Sequence, residues 1–147
     1  MRQDMTNKPI TILLAEDNPG DIRLTLEAFK EGEIVCHIHT VEDGEKAMAF
    51  LLKKAKYKNA PRPDLILLDL NMPKKNGREV LKEIKQDMRL CRIPVIILTT
   101  SKAEEDIQES YDLHANCYIT KPVGLDEFIN VAQSIENFWI TIVRLPP

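Results

Sequence analysis

The sequence predicts a doubly wound α/β domain, in which five parallel strands alternate with five helices. Short apolar runs of strand length alternate with segments whose apolar residues recur every three or four positions. Several of these runs end abruptly in a polar residue, as buried strands do where they leave a parallel sheet. The chain has 147 residues, of which 44% are hydrophobic and 29% charged, so it matches one ordinary globular domain and excludes a disordered protein.

Each element follows from a local pattern. Apolar runs predict strands over residues 10–15, 34–41, 64–70, 94–99 and 117–120. Turn residues and helical periodicity predict helices after Asp17–Gly20, after Asp43–Gly44, after Gly77, over 103–113 and from Gly124. Residues 1–8 are expected to form a short polar N-terminal extension, and residues 9–147 one domain with an apolar C-terminal stripe that includes Phe138 and Trp139.

Charge and cysteine content exclude several classes of protein. Twenty Lys and Arg against twenty-three Asp and Glu give a net charge of −3, which argues against nucleic-acid binding. The basic run at 53–58, with Arg62, is therefore interpreted as a solvated helix end. No apolar run is long enough to span a bilayer, so no membrane partner is expected. Three cysteines without a Cys-x-x-Cys pair favour a reducing cytoplasm. Cys36, His37 and His39 alternate along a strand and so cannot converge on one metal ion.

Polar chemistry accumulates where the predicted strands end. Glu16 and Asp17 follow the first strand, Asp69 ends the third, Thr99 ends the fourth and Lys121 follows the fifth. Ligands of open parallel sheets bind beyond this edge. Clustered carboxylates with no paired His or Cys favour Mg²⁺ or Mn²⁺, and the lysine suggests a phosphate ligand. An aspartate beside a metal ion and a lysine can act as a nucleophile toward phosphorus.

Four segments together resemble the receiver domain of two-component response regulators, the CheY-like superfamily. They are Leu13-Leu14-Ala15-Glu16-Asp17-Asn18, the segment from Leu67 to Gly77 around Asp69, Leu98-Thr99-Thr100-Ser101, and Tyr118-Ile119-Thr120-Lys121-Pro122. The spacings agree as well, with 30 residues from Asp69 to Thr99 and 22 from Thr99 to Lys121. The resemblance covers about Ile10 to Ile135. The longer connection from Lys53 to Pro63 and the C-terminus further resemble stand-alone, cyanobacterial phytochrome-associated response regulators.

The resemblance implies a metal-assisted phosphoacceptor. Asp69 would accept a phosphoryl group from a phosphohistidine of a histidine kinase or phosphotransfer protein. Mg²⁺, or Mn²⁺, would be bound by Glu16 acting largely through water, by Asp17, by Asp69 and by the backbone carbonyl of Asn71. No other cofactor is implied. The protein would assist its own phosphorylation without being an enzyme that turns over a separate substrate.

The resemblance also implies a conformational switch. Thr99 would hydrogen-bond the phosphoryl group, Lys121 would pair with it, and Tyr118 would carry the signal to the face formed by the fourth helix, fifth strand and fifth helix. The Lys121–Pro122 peptide bond would be cis, as is usual in the family. With no output domain expected after the fifth helix, the signal would pass to a protein partner or to a homodimer formed through that face.

Three rival functions remain as alternatives. A haloacid-dehalogenase-like phosphohydrolase would have an acid two residues after the nucleophile, where this chain has Asn71, which cannot transfer a proton at neutral pH. An FMN-binding flavodoxin would need a phosphate loop where this chain has acidic Glu16 and Asp17. A degenerate receiver, which would act as a protein-interaction module without phosphorylation, retains the same sequence pattern and stays open.

Overall fold

A computed structural model describes residues 9–32, 34–100, 104–122 and 124–142. The strands are β1 (Ile10–Ala15), β2 (Cys36–Val41), β3 (Leu65–Leu68), β4 (Val95–Thr99) and β5 (Cys117–Thr120). The helices are α1 (Pro19–Lys30), α2 (Gly44–Leu51), α3 (Gly77–Gln86), α4 (Glu104–Asp112) and α5 (Leu125–Ile142), and a short 3₁₀ helix spans Ala55–Tyr57.

The five strands form one parallel sheet in the order β2-β1-β3-β4-β5, which confirms the predicted fold class. From β1 the chain passes to β2 on one side, and β3, β4 and β5 then follow on the other side of β1. The strand order therefore reverses beside β1. In such a sheet the crevice for a ligand lies at this reversal, beyond the carboxyl ends of β1 and β3. Several strands are shorter than predicted, and β3 ends at Leu68, so that Asp69 lies just beyond the strand.

Helices cover both faces of the sheet and create two apolar layers. One layer lies under α1 and α5, where Phe29, Phe128 and Ile135 pack on the sheet. The other lies on the side of α2 and α3, where Phe50 and Ile84 are buried. Because the central strands are buried on both faces, their sequences are continuously apolar instead of alternating.

Some sequence predictions lie outside the described part of the chain. The N-terminal extension, residues 1–8, is one of them. The side chains of Phe138 and Trp139 are others, so their part in the apolar stripe stays a prediction. None of the helices, over the residues that are described, has the length and apolar character required to cross a membrane.

Candidate functional site

Three carboxylates converge at the carboxyl edge of β1 and β3. These strands are adjacent, and Ala15 is paired with Leu68, so the acidic residues that follow each strand emerge side by side. Glu16, Asp17 and Asp69 each offer an oxygen within 4.8 Å of the others. Glu16 and Asp69 are buried, whereas Asp17 is exposed. The structure therefore brings together the acidic residues that the sequence analysis selected.

The ammonium group of Lys121 lies among these acids. Its Nζ is 2.6 Å from Glu16 Oε1, 3.0 Å from Asp69 Oδ2 and 2.8 Å from Asp21 Oδ2, and its side chain is 5% exposed. Asp21, in the first turn of α1, was not foreseen. It is separated from Lys121 by 100 positions, and an acid in a first helical turn is ordinarily explained by the helix dipole. One buried cation thus pairs with three carboxylates.

Within this crowded and buried cluster the pKa values of two groups, Glu16 and Lys121, are raised. Burial raises the pKa of the Glu16 carboxyl to about 7, and the nearby Asp69 charge adds to this, although Lys121 opposes it. Burial lowers the pKa of Lys121, but hydrogen bonds to Asp21, Glu16 and Asp69 outweigh it and hold that pKa above its usual range. Lys121 therefore stays charged, while Glu16 can hold a proton near neutral pH.

Glycine allows the loop after β3 to fold tightly under Asp69. The Gly77 N–H donates to the Leu70 carbonyl at 3.0 Å, and a Cβ on Gly77 would collide with the Asp69 carbonyl and come within 2.7 Å of the Leu70 Cα. Asn76 then caps α3 through a reciprocal capping box with Glu79. Because α3 begins directly against the Asp69 backbone, the loop and the Asp69 side chain are fixed together.

Asn71 connects Asp69 to the predicted switch threonine. Its backbone N–H donates to Asp69 Oδ1 at 3.1 Å, and its side-chain amide lies 3.5 Å from Thr99 Oγ1. Thr99 is completely buried at the end of β4. The side-chain contact was not expected from the sequence. There Asn71 was expected to bind the metal ion through its backbone carbonyl, and its side chain served only as an argument against hydrolase chemistry.

Tyr118 lies on the same face of the sheet as Thr99. Ile97 is paired with Tyr118 and Thr99 with Thr120, so the two side chains are diagonal neighbours across β4 and β5. Tyr118 is half-buried against the apolar layer on the α2 and α3 side. Its backbone N–H donates to the Tyr111 hydroxyl of α4 at 3.2 Å. The predicted switch residues are thus near each other, and β5 contacts α4 directly.

The expectation of a cis Lys121–Pro122 bond is wrong. The described residues contain no cis peptide bond, so this one is trans. The Lys121 N–H donates to the Thr99 carbonyl at 2.7 Å, and the side chain still reaches the acids. The trans form is also the intrinsically preferred one for a bond before proline, by about 0.5–1 kcal/mol.

A cluster of ion pairs around Arg78 joins the start of α3 to α4. Arg78, the residue after Gly77, pairs with Asp106 and, at 2.9 Å from Nε to Oε1, with Glu109. The hydrogen bond and charge of Asp106, with the charge of Glu109, raise the pKa of Arg78. Sequence reasoning missed this contact because the partners lie 28 positions apart and arginine and acids on helix surfaces carry no distinctive signal.

The donor set fits a divalent metal ion. It consists of oxygen atoms from Glu16, Asp17 and Asp69, without a His or Cys ligand, which suits hard cations. Asp17 is exposed at the rim and leaves the cluster open to an incoming anion. The buried acids and the lysine together can hold a cation and a phosphoryl group next to each other.

Comparison with known proteins settles the family. A model of the response regulator receiver domain matches residues 12–133. The chain belongs to the response regulator receiver family. It is 52% identical to response regulator Rcp1 of Synechocystis sp. over 143 residues, which cover 97% of each chain.

Solved structures give the same result for the fold. The phosphorylated cyanobacterial phytochrome response regulator RcpA is 52% identical and superposes with a TM-score of 0.88, over 95% of this chain and 100% of that one. The Mn²⁺-bound form of Rcp1 superposes with a TM-score of 0.86 at the same identity and coverage. This receiver is therefore a two-component signalling protein, homologous to phytochrome response regulators.

Proposed function

We propose that Asp69 of this receiver accepts a phosphoryl group from the phosphohistidine of a sensor histidine kinase or a phosphotransfer protein. One observation carries the proposal: a buried carboxylate just beyond β3 lies 3.0 Å from the buried Lys121 ammonium and beside two further carboxylates. A nucleophile toward phosphorus needs such fixed positive charge, because phosphoryl transfer is governed mainly by positioning and charge neutralisation.

In the transfer step, an Asp69 oxygen forms a bond to phosphorus while the bond between phosphorus and the histidine nitrogen breaks. The imidazole leaves with the electron pair of that bond and takes up a proton. Lys121 pairs with an anionic phosphoryl oxygen, and the Thr99 hydroxyl donates to another. Asn71 holds the Asp69 carboxylate in place through the backbone N–H that already binds Oδ1.

We propose that the bound metal is Mg²⁺, with Mn²⁺ able to replace it. Glu16, Asp17, Asp69 and the backbone carbonyl of Asn71 would hold it, Glu16 largely through water. When bound, the ion neutralises phosphoryl oxygens that the carboxylates would otherwise repel. The residues themselves keep the site assembled, since Lys121 offsets the same acids in the metal-free protein.

The product is an acyl phosphate that persists as a signal. Asn71 occupies the position where phosphohydrolases of the haloacid-dehalogenase type carry a general acid, and its amide cannot supply or take a proton at neutral pH. The protein is thus a phosphoacceptor instead of an enzyme with a separate substrate. Since the phosphoryl group comes from ATP through the kinase, we expect the receiver in the cytoplasm.

The signal would leave through α4, β5 and α5. Thr99 moves toward the phosphoryl group, Tyr118 follows on the same face of the sheet, and the Tyr111 contact transmits the shift to α4. This face also exposes Tyr111 and Leu125, at 47% and 41%. We propose that it forms a homodimer or binds a protein partner after phosphorylation. Sedimentation with and without Mg²⁺ and beryllofluoride tests this, and identical values at all concentrations would contradict it.

Phosphotransfer from a kinase tests the proposed function. A phytochrome-type sensor kinase, autophosphorylated with radiolabelled ATP, should label the wild type and the exposed control Asp126→Asn, but not Asp69→Asn. Removing Mg²⁺ should prevent labelling. Label retained on Asp69→Asn would place the acceptor elsewhere. A folded wild type that takes no label from the kinase or from acetyl phosphate would support the degenerate-receiver alternative.

A further inference from the structure

A positively charged surface lies at the opposite end of the sheet from the phosphoacceptor site. Between residues 53 and 62 the chain carries five cations and no acid, although its net charge is −3. This segment precedes β3, and the turn with Arg89 and Arg92 precedes β4, so both lie at the amino ends of these strands. We call this the basic surface: Lys53, Lys54, Lys56, Lys58, Arg62, Arg89 and Arg92, all exposed.

The basic surface surrounds a small apolar hollow of about 270 Å³. Side chains from the end of α2 and from the turn after α3 line it, and three cations stand among them. The lining residues are Leu51, Leu52, Lys53, Arg62, Pro63, Arg89 and Leu90. Met88, which precedes Arg89 in the chain, is 92% exposed. An apolar floor within a cationic rim is the pattern of a protein-binding site with one apolar anchor and charged flanks.

The segment that carries the lysines forms hydrogen-bonded turns. Lys53 and Ala55 have φ angles of 57° and 53°, a left-handed backbone that is uncommon without glycine. Backbone hydrogen bonds from Lys54 to Ala49 and from Tyr57 to Lys54, both 2.9 Å, fix these turns. The Tyr57 ring packs on Phe50 with centroids 5.5 Å apart. The lysines thus extend from hydrogen-bonded turns and a short 3₁₀ helix that follow the end of α2.

Internal contacts hold the two walls together but leave the lysines available. The Arg62 guanidinium donates to the Arg89 carbonyl across the hollow. Arg89 itself pairs with Asp87 at 3.1 Å. Within the described part of the chain, Lys53, Lys54 and Lys58 form no ion pair with an acid of the protein. Their charge is therefore free to bind an acidic partner.

We propose that the basic surface binds an acidic peptide segment of a partner protein, with one apolar side chain of that segment in the hollow. Charge complementarity selects an acidic ligand, and the apolar floor selects a peptide, which can supply an aliphatic side chain, over a nucleic acid, which has none. Because the surface lies away from Asp69, a partner bound there leaves the acceptor accessible to the kinase.

Peptide binding measured by fluorescence anisotropy tests the proposal. The probe is a short fluorescein-labelled peptide rich in Glu with one central Leu, compared with the same peptide carrying Ser at the centre. Lys53→Glu with Arg62→Glu should weaken binding of the Leu peptide about tenfold, since charge reversal replaces two exposed attractive charges by repulsive ones. High salt should weaken it as well.

Matched variants keep the result interpretable. Lys54→Glu with Lys58→Glu changes only exposed side chains. It tests the same surface if Lys53→Glu with Arg62→Glu fails to fold because the Arg62 contact is lost. Arg23→Glu with Lys30→Glu reverses the same charge on α1, at the other face of the sheet, and should bind like the wild type. Phosphorylation by acetyl phosphate should be unchanged in all three.

Several outcomes would overturn the proposal. An equal loss of affinity in Arg23→Glu with Lys30→Glu would show that only the net charge of the protein determines binding. Equal affinity for the Ser peptide would mean that the hollow takes no apolar anchor. Tighter binding of single-stranded RNA or of anionic vesicles through the same lysines would assign a different class of partner. Absence of saturable binding by either peptide would remove the site altogether.

Discussion

Glu16 provides a direct test of how burial controls the charge of the site. Its carboxyl has a pKa raised from 4.5 to about 7, first because it is buried and then because Asp69 is close. One pKa unit corresponds to about 1.4 kcal/mol, so ionised Glu16 costs the metal-free native state about 3 kcal/mol. We therefore expect Glu16→Gln, which cannot ionise, to remove a pH-dependent destabilisation of that size.

The sign follows from proton binding. Below pH 4.5 Glu16 is protonated in both the native and the unfolded state, and contributes nothing to the pH dependence. Between 4.5 and about 7 the native state binds the extra proton, so the free energy of unfolding falls as pH rises. Above about 7 the full cost is present. The wild type should thus lose about 3 kcal/mol relative to Glu16→Gln across this window.

Urea unfolding in metal-free buffer at a series of pH values measures the difference. Glu127→Gln, exposed on α5, is the control and should follow the wild type. Saturating Mg²⁺ should reduce the difference, because a bound cation favours the ionised carboxylate. A wild type that instead gains stability over Glu16→Gln as pH rises would show that the Lys121 ion pair outweighs burial, and would refute the reasoning.

Three further substitutions test the remaining contacts. Lys121→Met should destabilise the metal-free protein by about 3–5 kcal/mol, because it leaves buried carboxylates without their cation. Urea unfolding at pH 7.5 measures this, and a loss of stability below about 1 kcal/mol would contradict it. Gly77→Ala should cost about 1–3 kcal/mol and slow phosphorylation by acetyl phosphate, because its Cβ meets backbone. Gly124→Ala, whose Cβ would meet nothing within 4 Å, should do neither, and equal effects would refute the packing argument. Arg78→Gln should speed hydrogen exchange in α4 about fivefold, which corresponds to an ion-pair contribution of about 1 kcal/mol. The control Lys30→Gln, on α1, should leave hydrogen exchange in α4 unchanged. Unchanged exchange in Arg78→Gln would show that the ion pairs of Arg78 do not stabilise α4.

The strand pattern and the motif order predicted the topology and the convergence of the acids. This succeeded because a parallel sheet places every strand's carboxyl end at one edge, so the position of Asp69 and Lys121 follows from counting strands. A buried strand is continuously apolar, which marks its core clearly but not its ends. That is why β3 was predicted to extend to Leu70 but ends at Leu68.

The contacts that helix residues make could not be predicted in the same way. The Asp21–Lys121 and Arg78–Asp106 pairs depend on how α1 and α4 lie against the sheet edge, and charged residues on helix surfaces are common without a partner. The ordered turn at Lys53–Lys58 was missed for a related reason. Its left-handed residues are not glycines, so the sequence contains no signal for them.

The measurement that tests the central claim most directly is the intact mass after incubation with acetyl phosphate. With Mg²⁺ the wild type should gain one phosphoryl group that hydroxylamine removes, as expected of an acyl phosphate. Asp69→Asn should gain none, and neither should the wild type without metal. A stable adduct on Asp69→Asn, or one formed equally well without a divalent ion, would contradict the assignment of Asp69 as the metal-assisted phosphoacceptor.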